Sequence, residues 1–223
     1  MTVHQFRAAY RDPDGGATPA RPRRFDAVTI GLHWTTVGLI VGMFATALMH
    51  EQAQGGAWAG PLLETHRSFG VTLWVVAVCR LAWRLRFAFL PPFPAGMSEV
   101  QQTAAKATEY GLYALLLGQP LTGLAQSLTL GRPFPMFGWE TPAVMGRNKD
   151  LTSLFHGIHE LSAWALLGLI SLHVLAALFH RLALRDDVLQ SMLPWKATKR
   201  PPALRAPEDD PSAPGELTLK GAG

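Results

Sequence analysis

The sequence predicts an all-α integral membrane protein, folded as a bundle of four transmembrane helices with both termini in the cytoplasm. Its 223 residues are 48% hydrophobic and 16% charged, whereas soluble domains are about a quarter charged. The apolar residues are gathered in four long runs, and basic residues flank those runs. Basic flanks on apolar runs are a signal of membrane topology, so we expect lipid, and not nucleic acid, as a partner.

Four runs are long enough to cross a bilayer, which takes about 20 apolar residues. We expect Pro120 to kink the third run, and the fourth run to tilt or protrude. The runs cover residues 27–49, about 66–83, about 104–128, and from about 151 to beyond 180. They define a membrane domain at 25–195, and the Pro-, Gly- and Arg-rich segments 1–24 and 196–223 are predicted to be disordered tails.

The distribution of Lys and Arg orients the bundle. Sixteen of these residues lie in the two tails, at the C-terminal end of the fourth run, or around the connection between the second and third runs. Because such residues are retained on the cytoplasmic side, we expect both termini there. Four lie on the opposite side: Arg67, Arg132, Arg147 and Lys149.

Histidine is costly in hydrocarbon, and three of the four runs carry it. His33 lies near the start of the first run, His66 opens the second, and His159 and His173 lie on the fourth. The last two are 14 residues apart, which is just under four helical turns, about 21 Å of rise, so they share one face at two depths. With both termini inside, His159 meets His66 near the outer side, and His173 meets His33 near the inner side.

Two imidazoles at each of two depths are what two stacked haem groups require, because each iron takes one neutral imidazole on each axial side. The alternative is that these histidines only cap or pack, which four residues at matched depths argue against. Zinc is rejected because HExxH is absent and no third ligand lies near His156 and His159. Cys79 is the single cysteine, which excludes an intrachain disulfide and covalent CxxCH haem attachment.

His156 and His180 remain without an assigned role. His156 lies one turn outside His159, and His180 lies beyond His173 near the cytoplasmic end. Each is a proton carrier, a hydrogen-bond donor at a haem edge, or an interfacial residue, which is the simplest interpretation. Arg80 and Arg84 likewise either hold haem propionates or a quinone head group, or anchor the second run at the membrane surface.

Four segments carry a family resemblance: IGLHW from Ile30, HRSFGVTLWVVAVCRLAWRL from His66, YALLLGQPLTG from Tyr113, and HELSAWALLGLISLHVLAALFH from His159. They resemble the bacterial cytochrome b561 family, a di-haem four-helix group that also includes the cytochrome b subunits of nickel–iron hydrogenases. The resemblance covers about residues 25–195. It implies two b-type haems, the inner one held by His33 and His173 and the outer one by His66 and His159. Many members have a histidine where this chain has Glu109, a position that is not a haem ligand in the family.

Within this family the chain looks most like the superoxide:ubiquinone oxidoreductases, or superoxide oxidases. The resemblance implies electron transfer in the bacterial inner membrane, from superoxide at the periplasmic side to ubiquinone. Arg67 and Arg132 are candidates for steering the superoxide anion, with help from Arg147 and Lys149.

Two alternatives remain open. The first is a membrane subunit that passes electrons between the quinone pool and a partner dehydrogenase, hydrogenase or soluble cytochrome. The second is a non-redox membrane protein such as a transporter or scaffold, which is disfavoured because the apolar runs contain few charged residues.

Overall fold

The structure is a computed structural model that describes residues 24–88, 90–94, 96–186 and 188–194. Apart from Arg24, the two predicted tails lie outside these described residues. Four long helices are joined by short connections, and a β-hairpin precedes the last of them. The elements are α1 (Ala27–Gln52), α2 (Ala59–Arg86), α3 (Glu99–Thr129), β1 (Phe134–Met136), β2 (Trp139–Thr141), α4 (Lys149–Phe179), a π-helical turn (His180–Leu184) and α5 (Val188–Ser191).

Capping side chains set the starts of α3 and α4. The Ser98 hydroxyl accepts a hydrogen bond from the Gln101 N–H, and the Gln101 side chain accepts one from the Ser98 N–H, which is a capping box. At the start of α4 the Asn148 side chain accepts from the Leu151 N–H at 3.0 Å. These side chains satisfy N–H groups that have no partner within their helix, and so fix where each helix begins.

Three of the described helices are long and apolar enough to cross a membrane, namely α1, α2 and α4 with its π-helical turn. By length and composition, this confirms a mainly α-helical membrane architecture. The third predicted run corresponds to α3, a helix of 31 residues in which no stretch is apolar enough to count as a membrane span by this measure. Part of that polarity faces protein, because Gln119 and Ser127 are only 7% and 6% exposed. The α3 helix continues through Pro120, which lacks the N–H for one bond of the helical ladder.

The long helices pack in chain order, α1 against α2, α2 against α3, and α3 against α4. All four contribute to one core cluster, formed by Met43, Leu73, Ala77, Leu116 and Leu166. Within the part of the chain that the structure describes, α4 packs closely against α3 and the short elements after it, but not against α1 or α2. Side chains therefore bridge the space between α4 and the first two helices.

The hairpin covers the end of the bundle where α2 and α4 begin, which we call the hairpin end. Its two strands pair antiparallel, and the side chain of Phe134 is buried at 3% exposure. The turn is tied to α2, because the Ser68 hydroxyl accepts from the Phe137 N–H at 2.8 Å and the Glu64 carboxylate accepts from the Gly138 N–H at 2.7 Å. The hairpin is thus a fixed cap on this end of the bundle.

At the opposite end, which we call the termini end, the chain after α4 folds back onto the start of α1. The Trp34 indole N–H donates to the Met192 carbonyl at 2.8 Å, and the Arg24 guanidinium donates to the Leu193 carbonyl at 2.6 Å. His180 is buried in the π-helical turn, with Nδ1 2.5 Å from an Asp186 carboxylate oxygen. This contact gives His180 a structural role in the fold-back.

Asp26 is both the N-cap of α1 and a link between α1 and α2. Its carboxylate accepts from the Thr29 N–H at 2.9 Å and from the Trp83 indole N–H at 3.1 Å. Burial would raise the pKa of this carboxyl, but the hydrogen bonds from Thr29 and Trp83 outweigh it, so the pKa lies below the ordinary value of 3.8.

The variant Asp26→Ala is expected to lower the free energy of unfolding at neutral pH by about 1 kcal/mol, the usual cost of losing an N-cap. Since the native pKa lies below the unfolded value of 3.8, the stabilisation by the carboxylate is present above that pH and is lost as the pH falls through the native pKa. Thermal unfolding of both proteins in detergent, across a pH series, measures the effect. The difference between wild type and variant should shrink in acid, and a difference that stays constant with pH would contradict this account.

Candidate functional site

Two pairs of histidines face each other across the bundle. His66 of α2 and His159 of α4 have ring centroids 6.3 Å apart and ring planes at 79°. His33 of α1 and His173 of α4 have centroids 6.4 Å apart and planes at 64°. Because α4 begins at the hairpin end, the first pair, the hairpin-end pair, lies nearer that end, and the second, the termini-end pair, lies farther from it. The structure therefore brings together the same partners that depth along the helices predicts.

The spacing within each pair leaves room for one metal ion between the rings. A ring nitrogen lies about 2 Å from a metal ion that it binds, so two imidazoles on opposite sides of one ion have centroids about 6 Å apart. The separations of 6.3 and 6.4 Å fit this value. In the described ranges no group of three or more His, Cys, Asp or Glu residues is placed to hold a metal ion. Paired imidazoles suit an ion that brings its other ligands with it, as haem iron does.

The α1 helix fixes the orientation of His66. Its Nδ1 lies 3.1 Å from the Met43 carbonyl oxygen and 3.3 Å from the Thr46 hydroxyl. The Thr46 hydroxyl donates its own proton to the Gly42 carbonyl at 2.7 Å, so it faces the imidazole as an acceptor. The Nδ1–H therefore donates to α1, and Nε2 keeps the lone pair that would bind iron.

The α3 helix has no histidine, yet it orients His159 in the same manner. Nδ1 of His159 lies 3.1 Å from the Gln119 carbonyl oxygen and 3.0 Å from the Thr122 hydroxyl. The Gln119 amide donates back to the His159 carbonyl at 2.9 Å, and its own oxygen accepts from Ser162. On both α1 and α3, the carbonyl acceptor is followed three residues later by a threonine. Sequence reasoning missed Gln119 and Thr122, although two polar residues around Pro120 in an apolar run were an available signal.

Gly123 gives the His159 ring its space against α3. A Cβ atom at this position would lie 2.9 Å from Cε1 and 3.2 Å from Nδ1 of His159, closer than non-bonded atoms pack without repulsion. At Gly118, on the same helix, a Cβ atom would meet nothing within 4 Å. The close approach of α3 to the imidazole therefore requires a residue without a side chain at position 123.

The termini-end pair has a different environment. The Nδ1 atom of His33 is buried, with no hydrogen-bond partner among the described residues. The Trp34 ring contacts His33 edge-on, with centroids 5.7 Å apart. Arg80 of α2 is close enough to both His33 and His173 to act on them electrostatically. The α2 helix thus contributes the positive charge of Arg80 to the surroundings of this pair.

The predicted steering residues Arg67 and Arg132 lie at the hairpin end. The Arg67 guanidinium donates to the Ser127 hydroxyl at 3.2 Å and lies 5.0 Å from the centroid of the Phe134 ring. Arg67 therefore joins α2, α3 and the hairpin, which is a structural use of its charge. Arg132 is exposed, and it is close enough to Arg67 for the two positive charges to repel each other.

A second group of cations lines an open cavity of about 360 Å³ beside α4. His156 is in its wall, with 63% of the side chain exposed and Nδ1 3.3 Å from the Gln126 amide nitrogen. Because His156 precedes His159 by about one helical turn, this wall of the cavity lies at the same end of α4 as the hairpin-end pair. The residues that line it are Gln126, Leu130, Arg147, Lys149, Thr152, Ser153 and His156.

Glu109, where the sequence departs from the expected family pattern, forms an ion pair with Arg84 at 2.7 Å. Their side chains are 34% and 23% exposed, respectively. The pair joins α3 to α2 near the termini end. Arg84, for which membrane anchoring is the simpler interpretation of the sequence, thus also has a partner within the protein.

Comparison with known proteins identifies relatives over most of the chain. A family model described as prokaryotic cytochrome b561 matches residues 24–195. Cytochrome b561 homolog 2 of Escherichia coli (strain K12) is 30% identical over 174 residues, which cover 77% of this chain and 92% of that protein. Cytochrome b561 homolog 1 of the same organism is 31% identical over 177 residues, covering 77% and 97%. The probable superoxide oxidase CybB of Yersinia pestis is 26% identical over 174 residues, covering 78% and 98%.

Proposed function

Because the chain belongs to the prokaryotic cytochrome b561 family, whose members are membrane helical bundles that transfer electrons through b-type haem, we propose that it oxidises superoxide and reduces ubiquinone in a bacterial inner membrane. In this proposal residues 25–195 form one domain with two b-type haems. His66 and His159 hold the outer haem, and His33 and His173 hold the inner one. The observation that carries the proposal is the pair of facing imidazoles at each of two levels, with centroids 6.3 and 6.4 Å apart.

When bound, two b-type haems supply one-electron transfer between the two sides of the bundle. The chain's own part is to hold the imidazoles in a fixed orientation and tautomer. At the hairpin-end pair, the carbonyl groups of Met43 and Gln119 accept the Nδ1 protons, which leaves each Nε2 with the free lone pair that would bind iron. The same hydrogen bonds make the imidazoles stronger ligands, because they shift electron density toward Nε2.

The course of α3 supports four membrane spans with both termini on one side. Ser127, near the end of α3, accepts from Arg67 near the start of α2, whereas Glu109 pairs with Arg84 near the end of α2. The α3 helix therefore runs antiparallel to α2, from the termini end to the hairpin end. Since α2 and α4 both begin at the hairpin end, the chain between them must return across the same thickness. With the positive-inside bias, we place both termini in the cytoplasm.

The hairpin end suits an anionic electron donor. The cavity beside His156 is lined by Arg147 and Lys149, so two cations lie at the same end of the bundle as the proposed outer haem. Such clustering raises the association rate of a small anion. The name of the relative from Yersinia pestis, a probable superoxide oxidase, points to the same donor.

Purified protein in detergent, given enzymatically generated superoxide and a ubiquinone analogue, provides the test. We expect superoxide to reduce the haems, and two superoxide anions with two protons to reduce one quinone analogue faster in the presence of the protein than in its absence. The alternative function, a membrane subunit that serves a partner dehydrogenase, hydrogenase or soluble cytochrome, predicts that superoxide leaves the haems oxidised while a co-purifying protein reduces them. That second result would overturn the superoxide proposal.

Charge reversal in the cavity should slow the reaction with superoxide. Lys149→Glu is expected to lower the second-order rate constant by about threefold to tenfold at low ionic strength, and the effect should fade as salt screens the field. The new carboxylate lies in the first turn of α4, where it suits the helix dipole, so the fold should be unharmed. Lys106→Glu, an exposed change of the same kind on α3, is the matched control. A steering role for this cavity would be contradicted if both variants lowered the rate constant equally. It would also be contradicted if the decrease did not depend on ionic strength.

A further inference from the structure

The α2 and α4 helices present functional residues with the same spacing. On α4, His173 follows His159 by 14 residues, and on α2 Arg80 follows His66 by 14 residues. Because 14 residues make just under four turns, each helix presents its two residues on one face, about 21 Å apart along the axis. Arg80 therefore lies on α2 at the level of the termini-end pair. At the level where α4 has its second imidazole, His173, α2 has the cation Arg80.

The guanidinium of Arg80 has an unused donor in this position. Its Nε atom is buried and has no hydrogen-bond partner among the described residues. The guanidinium carbon lies 5.5 Å from the centroid of the Tyr113 ring, and the group acts electrostatically on His33 and His173. Glu109 also feels this charge, but its carboxylate is hydrogen bonded by Arg84 at 2.7 Å. A buried N–H without an acceptor costs free energy, so an additional anionic acceptor is expected at this place.

We propose that Arg80 is a positioning residue for the inner haem: it donates Nε–H to a carboxylate substituent of the tetrapyrrole held by His33 and His173, and its charge raises the reduction potential of that haem. This inference rests on the proposed function, since it assumes that the termini-end pair holds a haem. Reduction adds one electron to the iron, so the charge of the site falls by one. A fixed cation nearby favours that change. Arg80 then makes the inner haem the better acceptor and directs electrons from the outer haem to the termini end.

Redox titration of the purified haem-loaded protein tests this inference, with the inner haem identified as the spectral component that His33→Ala removes. In Arg80→Gln, the oxidised-to-reduced ratio of that component at a fixed potential should rise about tenfold, or the component should be lost, while the outer component stays unchanged. Arg80→Lys, which keeps the charge, should retain both haems and shift the ratio less than Arg80→Gln does. Arg84→Gln, four residues away and already paired with Glu109, is the matched control, and it should leave the ratio unchanged within about twofold.

The inference is overturned if Arg80→Gln leaves both components unchanged, if it moves the outer component as much as the inner one, or if Arg80→Lys or Arg84→Gln is as disruptive as Arg80→Gln. Failure of the underlying function looks different. In that case the wild-type protein lacks two haem components, or His33→Ala removes neither, before any variant of Arg80 is considered. Haem content per chain, measured alongside the titration, separates these outcomes without an activity assay.

Discussion

Alanine at His66 is expected to remove one of the two proposed haems and to leave the other in place, and alanine at His159 is expected to remove the same one. The two imidazoles face each other with centroids 6.3 Å apart, so either substitution leaves the same iron with one protein ligand. Haem content measured by pyridine haemochrome should fall from about two per chain to about one, because each iron needs both axial imidazoles. His33→Ala and His173→Ala should each remove the haem proposed at the termini-end pair. The two haems are told apart by their reduced-minus-oxidised spectra.

The control for this series is His156→Ala. His156 lies on the same helix one turn before His159, but most of its side chain is exposed, so both haems should remain. The decisive comparison is between His66 and His173. If variants of these two residues lost the same spectral component, the pairing across the bundle would be wrong. If every histidine variant lost both components, the substitutions would have disrupted the fold. The predicted loss of one haem per chain in each variant would then be contradicted.

Gly123→Val should weaken the binding of the proposed outer haem nearly as much as loss of a ligand does. Position 123 has no side chain that could itself bind the haem. Its Cβ would lie 2.9 Å from His159 Cε1, and the valine methyl groups would extend farther into the space that the imidazole occupies. A ring held on iron cannot move away without breaking its coordination or its hydrogen bond to the Gln119 carbonyl. We expect haem affinity at this site to fall by at least about tenfold, in line with the loss of an outer-sphere partner.

Gly118→Ala is the control on the same helix. A Cβ atom there meets nothing within 4 Å, and replacing a helical glycine by alanine stabilises a helix by up to about 1 kcal/mol. This variant should retain both haems and unfold at the same or a higher temperature. Retention of the outer haem by Gly123→Val, measured by haem titration of the apoprotein, would show that α3 does not confine the His159 ring.

The pairing of the histidines followed from the sequence because it depends on one regular quantity, the rise of a helix. His159 and His173 are separated by just under four turns, and the basic flanks predict which end of each run lies on which side. The groups that contact each imidazole ring could not be predicted from the sequence. Met43 and Gln119 act through their carbonyl oxygens, which every residue has, and Gly123 acts by having no side chain at all. A carbonyl oxygen or a missing side chain leaves no chemical signature in a single sequence, and the available signal was the polar side chains of Gln119 and Thr122 in an apolar run.

Long-range polar contacts explain the other differences between expectation and structure. Arg67 looks like a free cation beside His66, but the structure places Ser127 and Phe134 against it, 60 and 67 positions later in the chain. The ion pair of Glu109 with Arg84 likewise joins two helices. Hydropathy ranks α3 below the other helices because an average cannot tell a glutamine that faces a neighbouring helix from one that faces lipid.

The wide spacing between α4 and the first two helices has a consequence for biogenesis. Within the described residues, α4 is held to the bundle by α3 and by the fold-back at the termini end, while the space facing α1 and α2 is bridged by side chains such as the paired imidazoles. The α1–α2 and α3–α4 pairs are therefore joined directly by the packing of α2 on α3, and the gap on the side of α4 depends on what lies between the paired imidazoles. Cells starved of haem synthesis should accumulate less of the chain, measured by immunoblot of their membranes, because a bundle that lacks a bound group between α4 and the first two helices opens more readily. Cofactor supply, rather than translation, would then set its abundance.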